Sequence, residues 1–503
     1  MSRTAVVIGA GVGGMASALR LKNQGFDVHL FEATHKVGGK LARYERDGYV
    51  FDLGPSLFTI PAVYRDLFLK TGEPLESEVD LIPLDPAFRY IWPDGTTLSM
   101  PGVSTQACAN AIGEIFGEQS RNEWRAFMNR ASDMWSLTRQ SVMLSAISSV
   151  SDMASALKSP RDILTIAPFM SLRALADRTF TDKRLVSLVD RYATYTGSDS
   201  RKAPAVLATV PYVEQEFGAW HIGGGLTELG HALERRLRSR GVHLHLNSPV
   251  QSINVDNNRV SGITTHSGQK ISAEVVVANA DAHIVYNELL PQSVGKKGRQ
   301  RVTKSPRSLS GFVLLLALKG TTPGVHHHNV WLTSDYDAEF DDIFERHQPI
   351  ENPTIYACVP DDDAMRPDAD SESWFVLINA PRHSADGESG SFNWTPEASE
   401  RYARKIVAML EVRGIDVSSR LQWMEWRSPA DLEQATLAPG GAIYGTASHG
   451  PRSTFLRAAN RSEIQGLYLV GGSAHPGGGL PLVGMSAEIT AELIRKDFPR
   501  SGV

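Results

Sequence analysis

Cysteine is scarce: two residues, Cys108 and Cys358, in a chain of 503. They cannot found a disulfide framework and show no metal-ligand spacing, which excludes the small stapled secreted scaffolds and fits a reduced, cytoplasmic setting. Long apolar runs are also missing. No window reaches the roughly 18 consecutive apolar residues that span a bilayer, and Phe312-Val313-Leu314-Leu315-Leu316-Ala317-Leu318 is short enough to be a buried strand. Met1-Ser2-Arg3 leads straight into an apolar segment, so no signal peptide is expected. There is no excess of basic charge either. With 51 Lys and Arg against 56 Asp and Glu, the net charge of −5 gives no reason to expect nucleic acid as a partner. No Ser-His-Asp or Cys-His arrangement offers a nucleophile. The balance of 42% hydrophobic and 21% charged residues argues against disorder, and the length predicts two or more domains.

What the chain does have is glycine in informative places. Val6-Val7-Ile8 runs into Gly9-Ala10-Gly11-Val12-Gly13-Gly14, and a second apolar run, Val28-His29-Leu30-Phe31, ends on Glu32. This order predicts strand, glycine turn, helix and a second strand tipped by an acid, the arrangement that binds an ADP-containing dinucleotide. Gly9 permits the tight turn, Gly11 admits a pyrophosphate, and Gly14 lets helix and strand pack closely. The helix N-terminus offers amide donors to phosphate. Glu32 stands where a carboxylate accepts hydrogen bonds from ribose hydroxyls. The turn by itself does not separate NAD from FAD. The continuation, Val37-Gly38-Gly39-Lys40 and Phe51-Asp52-Leu53-Gly54-Pro55-Ser56, supplies two further turns that a simple nicotinamide domain does not need and that suit a flavin.

Further along, the pattern predicts helices over residues 107–116, 119–137 and 141–157. Residues 142–175 are apolar and basic with few acids, as expected either for a buried helical cap or for a face lying on an anionic bilayer. A glycine turn at Gly223-Gly224-Gly225, a strand and turn through Asn247-Ser248-Pro249-Val250, and the run Val275-Val276-Val277-Ala278 resume the nucleotide theme. The chain closes with Gly471-Gly472-Ser473 and His475-Pro476-Gly477-Gly478-Gly479-Leu480-Pro481 before a helix. The expected fold class is α/β: a Rossmann-type FAD-binding domain built from discontinuous segments (residues 1–95, 215–295 and 455–503). An interleaved α+β substrate-binding domain (296–454) and a helical cap with possible membrane contact (96–214) complete it.

Together these segments resemble the carotenoid desaturase (bacterial phytoene dehydrogenase) family, within the amine-oxidase-like group of FAD flavoproteins. The resemblance extends through Arg191-Tyr192-Ala193-Thr194-Tyr195, Ala203-Pro204-Ala205 and His327-His328-Asn329, and covers nearly the whole chain in the family's order. It implies an FAD cradle in which Gly9, Ala10, Gly11, Gly13 and Gly14 hold the pyrophosphate, while Glu32 and Ala33 take the adenosine ribose. Gly39, Lys40, Gly54, Pro55 and Ser56 would approach the ribityl chain and the ring, and Val250 the adenine. Gly472 and Ser473 would meet the phosphate-ribityl region, and Leu482 and Val483 would open a helix at the pyrimidine edge. The chain departs from the family at Gly471-Gly472-Ser473-Ala474 and at Leu482, where the family has glycine. These changes put the substrate in doubt more than the cofactor.

The activity so implied is desaturation of a carotenoid or related long polyene (phytoene, or a later or hydroxylated carotene), with hydride passing to flavin and quinone or oxygen as final acceptor. The substrate would be drawn from a membrane by an enzyme peripheral on its inner face. No catalytic base stands out. His475 would polarise the ring or shuttle a proton, or else shape the glycine loop. Arg191 would steer a polar end of substrate or quinone, or else pair with an acid. His326-His327-His328 is not expected to bind metal, because neighbours on a strand point to alternate faces and no Cys or acid accompanies them. Asp361-Asp362-Asp363 reads as a solvated loop. Two alternatives remain open: an amine or small-molecule oxidase on the same fold, and an isoprenoid-binding carrier without redox function. Oligomeric state is not legible.

Overall fold

The run Ala5-Val6-Val7-Ile8 shows no apolar-polar alternation, as a strand covered on both faces requires. In the computed structural model, which describes residues 3–102, 104–146, 159–386, 390–450 and 457–499, it lies in the middle of a five-stranded parallel sheet. The order is Leu467–Leu469, Val275–Ala278, Thr4–Ile8, Asp27–Phe31, His243–His245. Alternation then divides the apolar residues between two cores. Val7, Leu30 and Val277 face the helices Val12–Asn23, Thr227–Ser239 and Leu480–Asp497. Val6, Phe31 and Val276 face an antiparallel meander of Val250–Asp256, Arg259–Thr265 and Lys270–Ser272. Each such side chain, fully buried, contributes about 1.5–3 kcal/mol. The sheet thus draws strands from three separated stretches of chain, as the discontinuous Rossmann-type reading expects.

A larger sheet of seven strands runs Leu421–Arg427, Ser310–Lys319, Ser371–Ala380, Ile355–Cys358, His328–Trp331, Phe88–Ile91, Thr97–Met100. Neighbours are antiparallel except His328–Trp331 with Phe88–Ile91. Here the structure differs from the boundary drawn at residues 95 and 96. Phe88–Ile91 and Thr97–Met100 form a hairpin through Trp92-Pro93-Asp94-Gly95, with Gly95 at φ +85°, and the hairpin adds to the edge strand His328–Trp331. An unpaired strand edge accepts any extended partner, wherever it lies in sequence.

The helices Thr105–Phe116 and Glu118–Thr138 form where expected and pack with Leu172–Thr179, Lys183–Thr194 and Thr209–Phe217 around Trp124, Phe127 and Phe180. The helix expected over 141–157 is replaced at its start by a π-helical turn, Arg139–Met143, and the rest of that reading lies outside the described residues. No helix among the described residues is long and apolar enough to cross a membrane.

One long-range tie locks the first segment to the second. Asp52 ends the strand Tyr49–Asp52, and its carboxylate accepts from the backbone N–H of Leu226 (2.6 Å) and Thr227 (3.0 Å) and from Thr227 Oγ1 (2.6 Å). It therefore caps the helix Thr227–Ser239 from 175 residues away, where an anion complements the helix dipole. Gly225, at φ +103°, makes room, since a Cβ there would sit 2.9 Å from Asp52 Oδ2. Asp52→Ala is expected to cost about 2 kcal/mol through unmet amides, and Asp52→Asn to recover part of it. An unchanged thermal midpoint in Asp52→Ala would remove the cap from the stability of this fold.

Candidate functional site

Gly9 adopts φ +93° and donates its amide to Phe31 O at 2.7 Å, which turns the chain out of the central strand. A Cβ on Gly14 would lie 2.0 Å from Gly9 O, so only glycine lets the helix start this close to the turn. No side chain caps the first turn of Val12–Asn23, leaving its N–H groups for an anion. Glu32 reaches the same loop: Oε2 accepts from Ala10 N at 2.8 Å, while Oε1 accepts from Thr34 N and Thr34 Oγ1, both at 2.9 Å. Ala33 beside it is exposed.

The other expected segments converge on this point. Gly38 N donates to Ala10 O, and a Cβ on Gly39 would stand 3.2 Å from Gly11 Cα. A Cβ on Gly54 would meet Lys40 O at 1.8 Å, so the turn through Pro55 and Ser56 passes directly beneath Lys40. Lys40 Nζ donates to Ala442 O and Ile443 O; its side chain touches solvent, yet the surrounding protein pushes its pKa down. A Cβ on Gly13 would collide with Asn279 Oδ1 (2.7 Å) and Val483 Cγ1 (2.9 Å) and crowd Gly471 Cα (3.3 Å). Val483, with Leu482, opens the helix Leu480–Asp497, whose N-terminus likewise has no side-chain cap. Ser473 Oγ accepts from Ala282 N, and Gly472 O accepts from Arg457 Nη1. Val250 lies next to the Glu32 end, because Asn247 N and Ser248 N donate to Thr34 O and Glu32 O.

His475 and Arg191 stand apart from this cradle. The Nε2 of His475 donates to the backbone oxygens of Val142 (2.7 Å) and Ser145 (3.1 Å), binding the glycine loop to the cap, and burial pushes its pKa down to about 4. Arg191 is not paired directly with an acid among the described residues. It is enclosed by aromatic rings and donates to Tyr90 Oη at 3.2 Å.

Two expectations are corrected. His327 and His328 do have a cysteine with them: antiparallel register sets Cys358 opposite His328, and one potential ligand atom from each of the three lies within 4.8 Å of the others. Pairing across strands made that neighbour invisible in the linear order. Asp362 is not solvated. It pairs with His221 Nε2 at 2.8 Å and accepts from Gly224 N at 2.8 Å, while Asp361 and Asp363 stay outside with Arg366.

Asn279 was not singled out by the sequence reading. It follows the strand Val275–Ala278, takes its backbone N–H to Ile8 O, and sets its amide against Gly9, Gly11, Gly13 and Gly471. A polar residue ending a parallel strand beside the first strand was the available signal. Arg457 left no such signal. Buried and with its pKa pushed down to about 10, it remains cationic at neutral pH and holds the carbonyls of Tyr444, Thr446 and Gly472 together.

Two uncapped helix N-termini, a carboxylate at the end of the second strand and close glycine contacts are the features that suit a dinucleotide pyrophosphate and ribose. Fold and site define a flavin-dependent oxidoreductase that uses FAD. Residues 12–374 match the flavin containing amine oxidoreductase model, and the chain belongs to that family. It is 34% identical to the 1-hydroxycarotenoid 3,4-desaturase of Flavobacterium sp. (strain P99-3), over 98% of this chain and 99% of the relative. It is 32% identical to the hydroxyneurosporene desaturase of Rubrivivax gelatinosus, over 97% and 92%. The 4,4'-diapolycopene oxygenase of Methylomonas sp is 28% identical over 98% of both. Among solved structures, a putrescine oxidase bound to putrescine shares the fold at TM-score 0.65 and 13% identity, over 99% of both chains. An oxidoreductase from Methanosarcina mazei does so at TM-score 0.65 and 16% identity, over 97% and 100%.

The His475 ring carries a pH signature. Its pKa falls from 6.5 to about 4 on folding, so between these values the unfolded chain binds a proton that the folded one refuses. Its contribution is present in full above pH 6.5 and is lost as pH falls toward 4, up to about 3 kcal/mol. The thermal midpoint should therefore drop across that window, and His475→Gln should flatten the drop. Parallel pH profiles for the two proteins would exclude His475 as a source.

Proposed function

We propose that this protein is an FAD-dependent desaturase of a carotenoid or related long isoprenoid polyene. The reading rests on the intact cradle in a chain that aligns end to end with carotenoid desaturases. In this proposal Gly9, Ala10, Gly11, Gly13, Gly14 and Asn279 hold the pyrophosphate, and Glu32 with Ala33 the adenosine ribose. Val250 meets the adenine. Gly39, Lys40, Gly54, Pro55, Ser56, Gly472 and Ser473 follow the ribityl chain to the ring, and Leu482 and Val483 present a helix N-terminus to its pyrimidine edge. Bound FAD supplies the hydride acceptor, and an external quinone or oxygen reoxidises it. The protein's part is to seat one CH–CH bond against the ring and exclude water. Allylic delocalisation along a polyene lessens the need for a protein base.

The amine-oxidase alternative is disfavoured by Arg191. Four aromatic rings gather around that guanidinium, so this aromatic box is already filled by a cation of the chain itself. Substrate delivery from a membrane surface is supported by Ile163, Leu164 and Phe169, which are 47%, 75% and 91% exposed on the cap, with exposed Arg161 close by in sequence.

Three measurements test this reading. Anaerobic mixing with phytoene, a hydroxylated carotene and an amine panel should bleach the flavin with a carotenoid and not with amines; bleaching by an amine alone would overturn the proposal. Glu32→Ala should weaken FAD binding by about 1.5–3 kcal/mol, or roughly 10- to 150-fold in Kd, and an unchanged Kd would remove Glu32 from the ribose. Leu164→Glu with Phe169→Glu should lower cosedimentation with anionic liposomes while leaving flavin content alone. Equal sedimentation would mean that this patch is not the membrane face.

A further inference from the structure

His328 opens the strand His328–Trp331 and is wholly buried. Its Nδ1 bonds Tyr356 Oη at 2.8 Å, and Tyr356 Oη in turn bonds Ser56 Oγ at 2.7 Å in the Gly54-Pro55-Ser56 turn. The other ring nitrogen, Nε2, is buried with no hydrogen-bond partner among the described residues. An unmet polar atom in such a place is costly. Two further donor side chains stand beside it. His327 precedes the strand, so the alternation of faces does not hold it away, and its ring meets that of His328 edge to face at 4.6 Å. Cys358 arrives from the antiparallel strand Ile355–Cys358, opposite His328. One nitrogen from each ring and the sulfur lie within 4.8 Å of one another.

The surroundings suit a cation. His327 and Cys358 line a cavity with about 20 Å³ of free volume, which Asp52, His221 and Met365 also border. That is room for one ion or one water. Neither lysine nor arginine is among its lining residues. Asp362 holds His221 Nε2 at 2.8 Å, and the His221 ring lies 4.7 Å from that of His327, so a second carboxylate stands behind the ring pair. Burial pushes the pKa of His327 down to about 3, and burial, His327 and Arg191 push that of His328 well down. Both imidazoles are therefore neutral, the form that coordinates metal.

We propose that His327, His328 and Cys358 bind one thiolate-seeking transition-metal ion, zinc or copper(I), at the join of their two strands. A thiolate with two imidazoles is the donor set those ions share, whereas calcium and magnesium take oxygen. Ligands around a tetrahedral ion stand roughly 3.3–3.6 Å apart, given bonds of about 2.0–2.3 Å. Side-chain shifts of about an ångström therefore close the set. The ion takes up the lone pair of His328 Nε2, while Tyr356 keeps that ring oriented through Nδ1. The Cys358 thiol proton leaves to solvent as the metal–sulfur bond forms, and no electron is exchanged. With three protein ligands, the fourth position is left to a water in the cavity. Such an ion crosslinks the two strands and, through Tyr356, steadies the turn that carries Ser56.

The test uses the FAD-loaded protein, freed of metal with EDTA. It is titrated with Zn²⁺, with Cu⁺ under reducing conditions, and with Co²⁺ as a spectroscopic probe. One thiolate-bound ion per chain is expected. The difference spectrum of the cobalt form should show a thiolate charge-transfer band and tetrahedral ligand-field bands to the red of the flavin. Cys358→Ser should abolish the charge-transfer band, and Cys108→Ser should leave it unchanged. Tyr356→Phe, which removes an outer partner, should weaken binding roughly 10- to 100-fold, and His328→Gln should weaken it by more. Competition between zinc and copper(I) names the ion. A second group, Asp27, His29 and His243, lies at the edge of the parallel sheet and holds no sulfur. Metal taken up without the thiolate band, as it would be there, overturns the proposal. So does a protein that takes up no metal, or a band that survives Cys358→Ser. Should Cys358→Ser fail to fold, the wild-type cobalt spectrum and Tyr356→Phe still decide.

Discussion

The closeness of one approach governs the cradle: the backbone of Gly14 against the carbonyl of Gly9. A side chain at residue 14 would lie inside that carbonyl's van der Waals shell, so the helix Val12–Asn23 begins within touching distance of the turn it follows. That proximity brings uncapped amides to where a pyrophosphate can meet them. It also draws Ala10 N onto Glu32, Gly38 onto Ala10 and Asn279 against Gly11 and Gly13. Four stretches of chain thus share one contact point, and each is held there by backbone geometry more than by side-chain bulk. A larger residue at Gly13 or Gly14 would push apart more than one partner at once.

Outside the cradle, polar groups do the positioning. Asp52 caps a helix that follows it by 175 residues, Arg457 gathers three carbonyls, and His475 ties the glycine loop to the cap. All three satisfy backbone groups that would otherwise be stranded where segments from distant parts of the chain meet. Such seams are the expected weak points of a nucleotide domain assembled from interrupted segments. That charged or ionisable side chains hold them explains why polar residues recur within an otherwise apolar interior.

Much of this was legible beforehand where the signal was local. Residues 9–14, 38–40, 54–56 and 471–473 are backbone devices, and glycine announces such devices because little else tolerates the geometry. Glu32 was legible because its distance from the turn is set by one helix and one strand. Illegible were contacts made by register and by topology. Nothing near Cys358 in sequence points to His328, and nothing near Glu214 points to Tyr192 and Tyr195 except one turn of fold. Asp362 looked solvated because its neighbours are acids; its partners His221 and Gly224 are about 140 residues away. The hairpin Phe88–Met100 was misplaced for a related reason, since extended chain carries no mark of which sheet edge it will join.

The sequence alone therefore determined the cofactor chemistry, because a phosphate turn is built from neighbouring residues whose conformations glycine dictates. It also determined the order of the segments and the apolar character of the strands. Tertiary structure alone decided what surrounds Arg191. The rings of Phe88, Tyr90, Tyr192 and Tyr195 come from two elements about a hundred residues apart, and the carboxylate of Glu214 from a third. Whether a buried guanidinium pairs with a carboxylate or packs among rings depends on distances between those elements, and only the folded chain sets them.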